Sequence, residues 1–447
     1  MASIGPDGPG AGIRRTGRRD AAGARRLPRT DRPAGAMPNP RVPSVLHAAQ
    51  EAPAVAAMRM LMIAPEPFFT PRGTPFSVYY RTLVAAEQGM QIDLLTYGQG
   101  ADVAIPGLRI VRIPRFSWLG PVPVGPSFQK LFLDVWMVLW TVMLLLRHRY
   151  DIVHAHEESV FWCRYLKPLF RFKLAYDMHS SLPQQLTNFR FSDSRLLFRI
   201  FAALERSALV HSDAVITICP DLDDYARSQA GRQERLFLIE NSIFDDVRLA
   251  NGAESPSETS EMPVAAPAGP RILYAGTFER YQGLELLLEA FARVHPQRQD
   301  AELLLVGGRP DQVTRMRVLA DRLGIAAACR FAGRVSKRQA GQYVQTATVL
   351  VSPRIEGTNT PLKIYEQLAS GKPLVATRIW SHTQVLTDEV CFLVDPAPAM
   401  FAVGLLQALN DSEESGRRSA AARQLYESAY SRARYDDKMR RFLEVLR

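Results

Sequence analysis

Two successive sets of short apolar runs constrain the fold of this chain more than any other sequence feature. The first set begins at Arg59–Ala64 and the second at Ile272–Ala275, and in both sets runs of Val, Ile and Leu alternate with longer amphipathic segments. Continuous apolar runs are typical of parallel strands that helices cover on both faces. The pattern therefore predicts an α/β chain with two Rossmann-like, doubly wound parallel-sheet domains facing a cleft, where ligands bind beyond the carboxyl ends of the strands.

The 447 residues are enough for two domains of this kind. We assign 58–245 to the first domain and 270–430 to the second. Residues 246–269 are rich in Ser, Pro, Glu and Ala, which is the composition of a linker or mobile loop. The last residues, 431–447, predict a C-terminal helix.

The first 57 residues carry half of the net charge of +10, because nine arginines there face four acidic residues. This segment is rich in Pro, Gly and Ala and has no apolar period, so we expect a disordered basic segment. The alternative that translation starts at Met58 stays open. The remaining charge is compatible with phosphate-bearing substrates or an anionic membrane surface, and we expect no nucleic-acid partner.

The most apolar stretch of the chain is Leu131–Leu146, which is sixteen residues long and contains Asp134. A membrane-spanning helix needs about 20 apolar residues, so our main interpretation is a core helix of the first domain. Lys130 precedes the stretch and Arg147 follows it, and a helix lying on a membrane surface is therefore the alternative. The four scattered cysteines predict buried free thiols in a cytoplasmic protein, with neither a disulfide framework nor a zinc site.

Two candidate site motifs follow strands of the first domain. Gly73 lies in a loop before a helix predicted over 76–89, where a glycine lets backbone N–H groups approach an anion. His179 follows the strand that ends at Asp177, and its imidazole can donate or accept a proton near neutral pH. His154 and His156 alternate along another strand and share one face, and we interpret them as structural residues of the sheet end.

Two further motifs follow strands of the second domain. The turn at 274–283 contains Gly276, Thr277 and Arg280, and the arginine offers a fixed positive charge for a diphosphate. In the longer motif, Thr358, Asn359 and Thr360 precede a helix that Pro361 can start, and backbone N–H groups there suit an anion. Leu362, Lys363 and Glu366 follow, and a carboxylate can accept two hydrogen bonds from a ribose diol. A solvated helix with an ordinary capped start is the alternative.

These motifs resemble those of the family 4, or group 1, retaining glycosyltransferases of the GT-B fold. The resemblance covers most of 58–430 and is strongest at 276–283 and 359–373. It implies a nucleotide-sugar donor held mainly by the C-terminal domain, a glycan, lipid-linked or small-molecule acceptor, retention of anomeric configuration, and neither a metal nor another cofactor. It also implies a role in glycan or cell-envelope polysaccharide synthesis.

The resemblance assigns roles to individual residues. Glu366 matches the second glutamate of a paired-glutamate motif, which holds the donor ribose, and Glu356 matches the first, which faces the donor sugar. Nine residues separate the two here, where the family usually has seven. His179 resembles the histidine beside the transferred sugar, and Gly73 falls in the first-domain glycine loop.

The chain departs from the family at the diphosphate. The family places Arg and Lys where this chain has Thr277 and Gln282, and we expect Arg280 and Lys363 to replace them. Three other functions stay open: a sugar-nucleotide epimerase, a non-catalytic nucleotide-sugar binding protein, and an NAD-linked enzyme. Against the last, no Gly-x-Gly-x-x-Gly follows either opening strand. We expect a cytoplasmic protein in peripheral contact with the anionic inner face of the plasma membrane.

Overall fold

The computed structural model describes residues 58–70, 73–120, 122, 127–181, 195–241, 244 and 268–447. The predictions for 1–57 and for nearly all of the linker at 246–269 lie outside these residues.

The first sheet contains seven parallel strands in the order β3-β2-β1-β4-β5-β6-β7. Continuous Val, Ile, Leu and Met runs bury the central strands, because helices cover both faces. The strands are β1 Arg59–Ala64, β2 Gln91–Thr96, β3 Leu108–Arg112, β4 Ile152–His156, β5 Lys173–Met178, β6 Ala214–Thr217 and β7 Leu236–Leu238. The helices are α1 Gly73–Glu87, α2 Phe128–Arg147, α3 Ser159–Phe170, α4 Arg195–His211 and α5 Pro220–Gln229.

The second sheet contains six parallel strands in the order β10-β9-β8-β11-β12-β13. The strands are β8 Arg271–Ala275, β9 Glu302–Val306, β10 Cys329–Gly333, β11 Val349–Ser352, β12 Leu374–Thr377 and β13 Phe392–Val394. The helices are α6 Leu284–Val294, α7 Pro310–Arg322, α8 Lys337–Thr346, α9 Leu362–Ala369, α10 Trp380–Thr383, α11 Pro398–Asn410, α12 Ser412–Leu425 and α13 Arg432–Leu446.

The two doubly wound sheets confirm the predicted fold class. The sequence did not predict several elements, among them β7, β13 and α3, whose sequence signals are weak. The strands β7 and β13 have three residues each, and α3 contains Pro168, which interrupts a helical pattern. The helix α1 begins at Gly73 rather than at 76, because Pro75 is tolerated in the first helical turn.

The C-terminal helix α13 packs on the first sheet, although the elements directly before it in the chain, from β8 to α12, belong to the second domain. Its buried residues Tyr435, Met439, Phe442, Leu443 and Leu446 join an apolar cluster with residues of β1 and α1. The chain therefore crosses back, and the first-domain core is completed by the end of the sequence.

The helix α2 is only partly a core helix, which corrects the main interpretation of the apolar stretch. Leu133, Met137, Thr141, Leu144 and Leu145 are buried in the first-domain core. Phe128, Leu131, Val135, Leu139 and Leu146 are each more than half exposed. The helix thus has one apolar face in the core and a second apolar face on which Leu131, Val135, Leu139 and Leu146 are exposed. Asp134 is stabilised where it lies by a 2.7 Å hydrogen bond from the Tyr97 hydroxyl.

Among the described residues, α2 is the one helix that is long and apolar enough to cross a membrane. Of its most apolar 18 residues, 28% are buried in the protein. The four cysteines are buried and free, as predicted: Cys163, Cys219, Cys329 and Cys391.

Candidate functional site

Three of the predicted motifs follow strands at which the order of a sheet reverses, and His179 follows β5, the neighbour of such a strand. In the first sheet this point lies between β1 and β4, and in the second it lies between β8 and β11. A Cβ atom placed on Gly73 would lie 4.0 Å from Leu362 Cδ1, so the start of α1 faces the start of α9. The carboxyl ends of the two sheets therefore meet, which is where ligands bind in doubly wound folds.

A hydrogen bond between the domains joins two predicted site residues. The side chain of Asn359 donates to the backbone carbonyl of His179 over 3.1 Å. Asn359 Oδ1 also lies 3.8 Å from the Cys219 thiol, at the start of α5. The loop before α9 is thus held against the ends of β5 and β6.

A second contact between the domains holds the same loop from its other side. Gln384 donates to the backbone carbonyl of Thr358 and accepts a hydrogen bond from the Asp221 backbone N–H over 3.1 Å. Trp380 Nε1 donates to Asp221 Oδ1 over 3.2 Å. These residues were not predicted, because nothing in the sequence indicates which side chains meet across a domain boundary.

His179 is buried in a polar cluster at the end of the first sheet. Its Nε2 atom lies 3.1 Å from His156 Nδ1 and 3.3 Å from Asp177 Oδ1. Burial lowers the pKa of His179 to about 4, although Asp177 opposes the shift. The imidazole is therefore neutral at pH 7. It can donate one hydrogen bond and accept another, and it does not provide a fixed positive charge.

His154, His156 and Asp177 are close enough together to be considered as cation ligands. Arg81, however, donates to Asp177 Oδ2 over 3.0 Å, and both side chains are fully buried. A cation here would add positive charge beside a guanidinium that already neutralises the carboxylate. The rings of His154 and His156 stack at 4.7 Å on one face of β4, and we interpret the group as a hydrogen-bonded network.

The two second-domain motifs pack against each other. The Ile355 N–H donates to the Tyr281 carbonyl over 2.9 Å. Gly283 has φ +72°, and a Cβ atom there would lie 1.9 Å from the Pro353 carbonyl oxygen. Only a glycine permits this approach, and it brings the turn at 274–283 beside the loop that follows β11.

Lys363 and Arg354 form a pair of cations in this region. Lys363 Nζ donates to Gln282 Oε1 over 3.0 Å and lies 4.5 Å from the centre of the Tyr274 ring. Burial, and then the charge of Arg354, lower the pKa of Lys363 to about 7. Burial also lowers the pKa of Arg354, whose guanidinium stacks over Tyr281 at 5.1 Å.

Neither Lys363 nor Arg354 pairs with a carboxylate within the described ranges. Two neighbouring cations that lack an anionic partner are costly in a half-buried site, and an anionic ligand removes this cost. Arg280, which we expected beside Lys363, lies on the turn Arg280–Gln282 with its side chain exposed. The sequence reading missed Arg354, although it comes two residues after β11 at the reversal point of the sheet.

The remaining predicted residues lie on the turn after β8, on the loop after β11 and on α9. Glu366 lies on α9 and is exposed as a whole residue. Partial desolvation of its carboxyl group by the surrounding protein raises its pKa, and the charge of Lys337 partly opposes this shift. Glu356 is also exposed, and its backbone carbonyl accepts a 2.6 Å hydrogen bond from Arg354 Nε. Gly276 and Thr277 are exposed at the turn after β8. Thr360 lies between Asn359 and the first residue of α9.

A groove of about 790 Å³ lies elsewhere, beside β10 and α7, and is lined by residues such as Arg317, Arg330 and Phe331. It contains none of the predicted site residues, and we give it no part in the site.

Comparison with known proteins agrees with this geometry. Residues 269–411 match the family described as Glycosyl transferases group 1, and residues 77–242 match the Glycosyl transferase 4-like domain. The chain is 25% identical over 373 residues to the phosphatidyl-myo-inositol mannosyltransferase of Mycobacterium leprae, covering 82% of this chain and 91% of that protein.

Two solved structures share the fold. The sucrose-phosphate synthase of Thermosynechococcus elongatus has a TM-score of 0.66 at 19% identity, covering 87% of this chain and 98% of that one. The Anabaena protein HepE in complex with UDP has a TM-score of 0.64 at 16% identity, covering 87% and 100%. The two family matches together span most of both sheets, and the match over 269–411 includes the loop and helix that carry Arg354 and Lys363. The chain accordingly belongs to the group 1 glycosyltransferases and has the GT-B fold.

Proposed function

We propose that this glycosyltransferase moves a sugar, with retention of configuration, from a nucleotide-sugar donor on the second domain to a lipid-linked acceptor on the first. The observation that carries the proposal is the junction of the domains, where His179 and Asn359 are hydrogen bonded. The cation pair of Arg354 and Lys363 follows in the same loop and helix. A sugar joined to a diphosphate fits this arrangement, because the sugar can lie at the junction of the domains while the diphosphate lies beside the two cations.

The donor diphosphate is held by Arg354 and Lys363, with backbone N–H groups at 358–360 and the start of α9. Arg354 takes the place that we gave to Arg280 from the sequence. The exposed carboxylate of Glu366, one turn further along α9, accepts hydrogen bonds from the ribose diol. The turn containing Gly276 and Thr277 provides the opposite wall.

The transfer needs no covalent protein intermediate. The leaving diphosphate helps to deprotonate the acceptor hydroxyl on the same face of the sugar, while the protein positions both reactants and stabilises the leaving charge. His179 lies beside the transferred sugar and Glu356 faces it. The cation pair supplies the charge that a metal supplies elsewhere, and we propose that neither a metal nor another cofactor is required.

The acceptor is proposed to be lipid-linked because α2 has an exposed apolar face on the first domain. Leu131, Val135, Leu139 and Leu146 form this face, and each is more than half exposed. Arg147, His148 and Arg149 follow it, and basic residues beside an apolar helix face favour an anionic membrane surface. A relative named phosphatidyl-myo-inositol mannosyltransferase supports the same acceptor class. We propose peripheral binding at the cytoplasmic face of the plasma membrane.

A non-catalytic nucleotide-sugar binding protein is one alternative, which the sequence leaves open because Thr277 and Gln282 stand where the family has basic residues. The hydrogen bond from Lys363 to Gln282 argues against it. Lys363 on α9 brings its ammonium group to the turn that contains Gln282. The positive charge that stabilises a leaving diphosphate is therefore present beside this turn.

The full chain should be incubated with GDP-mannose, UDP-glucose or ADP-glucose and with vesicles containing phosphatidylinositol, and the lipid products analysed by mass spectrometry. We expect a glycosylated lipid with one of these donors, in buffer containing EDTA. The Arg354→Gln variant tests the site, and Arg280→Gln is its matched control. Binding of a donor without transfer to lipid or water would favour the non-catalytic alternative, and equal loss in both variants would contradict the proposed site.

A further inference from the structure

A buried network connects the C-terminal helix to His179. Arg81 on α1 donates from Nη1 to the Tyr435 hydroxyl on α13 over 2.5 Å and from Nη2 to the Ile239 carbonyl over 2.8 Å. Its Nε atom donates to Asp177 Oδ2 over 3.0 Å. Because each of these nitrogens has a partner and the side chain is fully buried, the planar guanidinium is fixed in one orientation.

Asp177 passes this constraint to His179. Burial alone would raise the pKa of Asp177, but Arg81 and the neighbouring histidines hold it well below its usual range. An ionised carboxylate can only accept hydrogen bonds. Asp177 Oδ1 lies 3.3 Å from His179 Nε2 but has no hydrogen-bond partner among the described residues, so it acts on the ring through its charge. A negative charge at this distance favours a proton on Nε2 over a lone pair, and His156 Nδ1, 3.1 Å away, then accepts that proton's hydrogen bond.

The other ring nitrogen of His179 is then left as an acceptor. His179 Nδ1 is buried and has no hydrogen-bond partner within the described part of the chain. A buried nitrogen without a partner costs free energy, and a ligand hydroxyl that donates to it removes the cost. The backbone carbonyl of the same residue is bound by Asn359, which keeps His179 at the domain junction.

We propose that Arg81 and Tyr435 are positioning residues, which act through Asp177 to hold His179 as the Nε2–H tautomer with Nδ1 free to accept a hydroxyl of the bound sugar. The proposal rests on the function proposed above, because it takes a sugar as the ligand. Tyr435 belongs to the C-terminal helix, so this helix completes the first-domain side of the site as well as its core.

The charges around His179 give the proposal a signature in pH. The titratable and charged groups facing it or its partner carboxylate are Asp177, Arg81, His154, His156, Glu157 and Tyr435. Burial lowers the pKa of His179 first, Arg81 lowers it further, and Asp177 raises it. Arg81→Gln removes the nearest cation and leaves the carboxylate, so His179 should gain a proton at higher pH.

Histidine side-chain NMR tests this without any substrate. The full chain is labelled with ¹⁵N-histidine, and the His179 signals are identified by their loss in His179→Gln. We expect a neutral ring protonated on Nε2 from about pH 5.5 to 8, and a signal that titrates within that range in Arg81→Gln. Arg432→Gln, which breaks an exposed ion pair between α13 and Glu87, is the control and should leave the titration unchanged.

The nearly isosteric Tyr435→Phe provides a second arm that does not depend on replacing a buried arginine. We expect kcat for transfer to fall by roughly tenfold to a hundredfold, the range for removing outer partners that orient a functional histidine, with the donor KM within about twofold.

A proton on Nδ1, an ordinary titration of His179 in the unchanged protein, or the same titration in Arg81→Gln would overturn the inference. So would an unchanged kcat in Tyr435→Phe. Absence of transfer by the unchanged protein would contradict the proposed function instead, since the NMR result is independent of it.

Discussion

Lys363 donates a 3.0 Å hydrogen bond to Gln282, which stands where relatives of this chain are expected to carry a basic residue. A positive charge therefore reaches the turn after β8 from the first turn of α9, where the Gln282 amide oxygen accepts the hydrogen bond from the ammonium. Arg354 completes the pair from the loop after β11. The cation pair is the feature from which most of the predictions below follow.

Removing either cation should weaken donor binding. A charge-assisted hydrogen bond contributes about 1.5–3 kcal/mol, so Lys363→Met and Arg354→Met should each raise the dissociation constant of the nucleotide sugar by roughly tenfold to a hundredfold. Isothermal titration calorimetry measures this directly. Arg280→Met is the matched control, because the Arg280 side chain is exposed. An equal loss of affinity in this variant would return Arg280 to the site.

Donor binding should take up protons near neutral pH. Burial and Arg354 lower the pKa of Lys363 to about 7, so the free site is partly deprotonated there, and a diphosphate should raise that pKa again. Binding should therefore weaken as the pH rises through about 7. Calorimetry in buffers of different ionisation enthalpy gives the protons taken up. A value of zero at pH 7, or the same value in Lys363→Met, would be inconsistent with this site.

Without a donor, Lys363 should also affect the pH dependence of stability. Its pKa in the folded chain lies below the ordinary lysine value of 10.5, so the unfolded chain binds more protons between about pH 7 and 10.5. This residue should therefore make the free energy of unfolding rise with pH across that window. Urea unfolding at several pH values, compared with Lys363→Met, should show a smaller rise in the variant, and an unchanged pH slope would contradict the shift.

Gly283 should be intolerant of any side chain. Its φ of +72° and the approach of the Pro353 carbonyl predict that Gly283→Ala lowers the free energy of unfolding by about 1–3 kcal/mol or more. Gly341→Ala is the control: nothing lies within 4 Å of an added Cβ, and alanine in a helix should stabilise by about 0.5–1 kcal/mol. Urea unfolding measures both, and an equal effect would show that the contact with Pro353 is unimportant.

The exposed face of α2 should bind anionic vesicles. Leu131→Gln combined with Leu139→Gln removes apolar area without touching the buried face, so we expect weaker partitioning at low salt and little change in stability. Val318→Gln changes a side chain on α7 of the second domain that is 46% exposed, and it should have no effect. Sedimentation with phosphatidylglycerol vesicles checks this, and unchanged binding by the α2 variant would exclude this helix as the membrane contact.

The sequence predicted the fold well because continuous apolar runs and glycine-bearing turns are local signals. The strands β1 and β9 begin and end where the apolar runs do. The pattern did not reveal which face of α2 is buried, because both faces are apolar. Hydrophobicity alone cannot distinguish a side chain in the core from one at the surface.

The site was predicted only as far as each motif could be read separately. Asn359 and Lys363 come from one motif and His179 from another, and the hydrogen bond between Asn359 and His179 brings the two motifs together. Arg354 was missed because a single arginine after a strand is not a distinctive pattern, and Tyr435 was missed because the return of α13 to the first sheet depends on the packing of both domains. The role of each residue in transfer stays a prediction.

The stereochemistry of transfer tests the central proposal most directly. The anomeric configuration of the newly transferred sugar should be determined by proton NMR for the donor that gives product, at early times and in EDTA. We predict that it is the same as in the nucleotide sugar, and that the yield falls in Arg354→Gln but not in Arg280→Gln. An inverted product, or full transfer by the Arg354 variant, would contradict a retaining reaction at this cation pair.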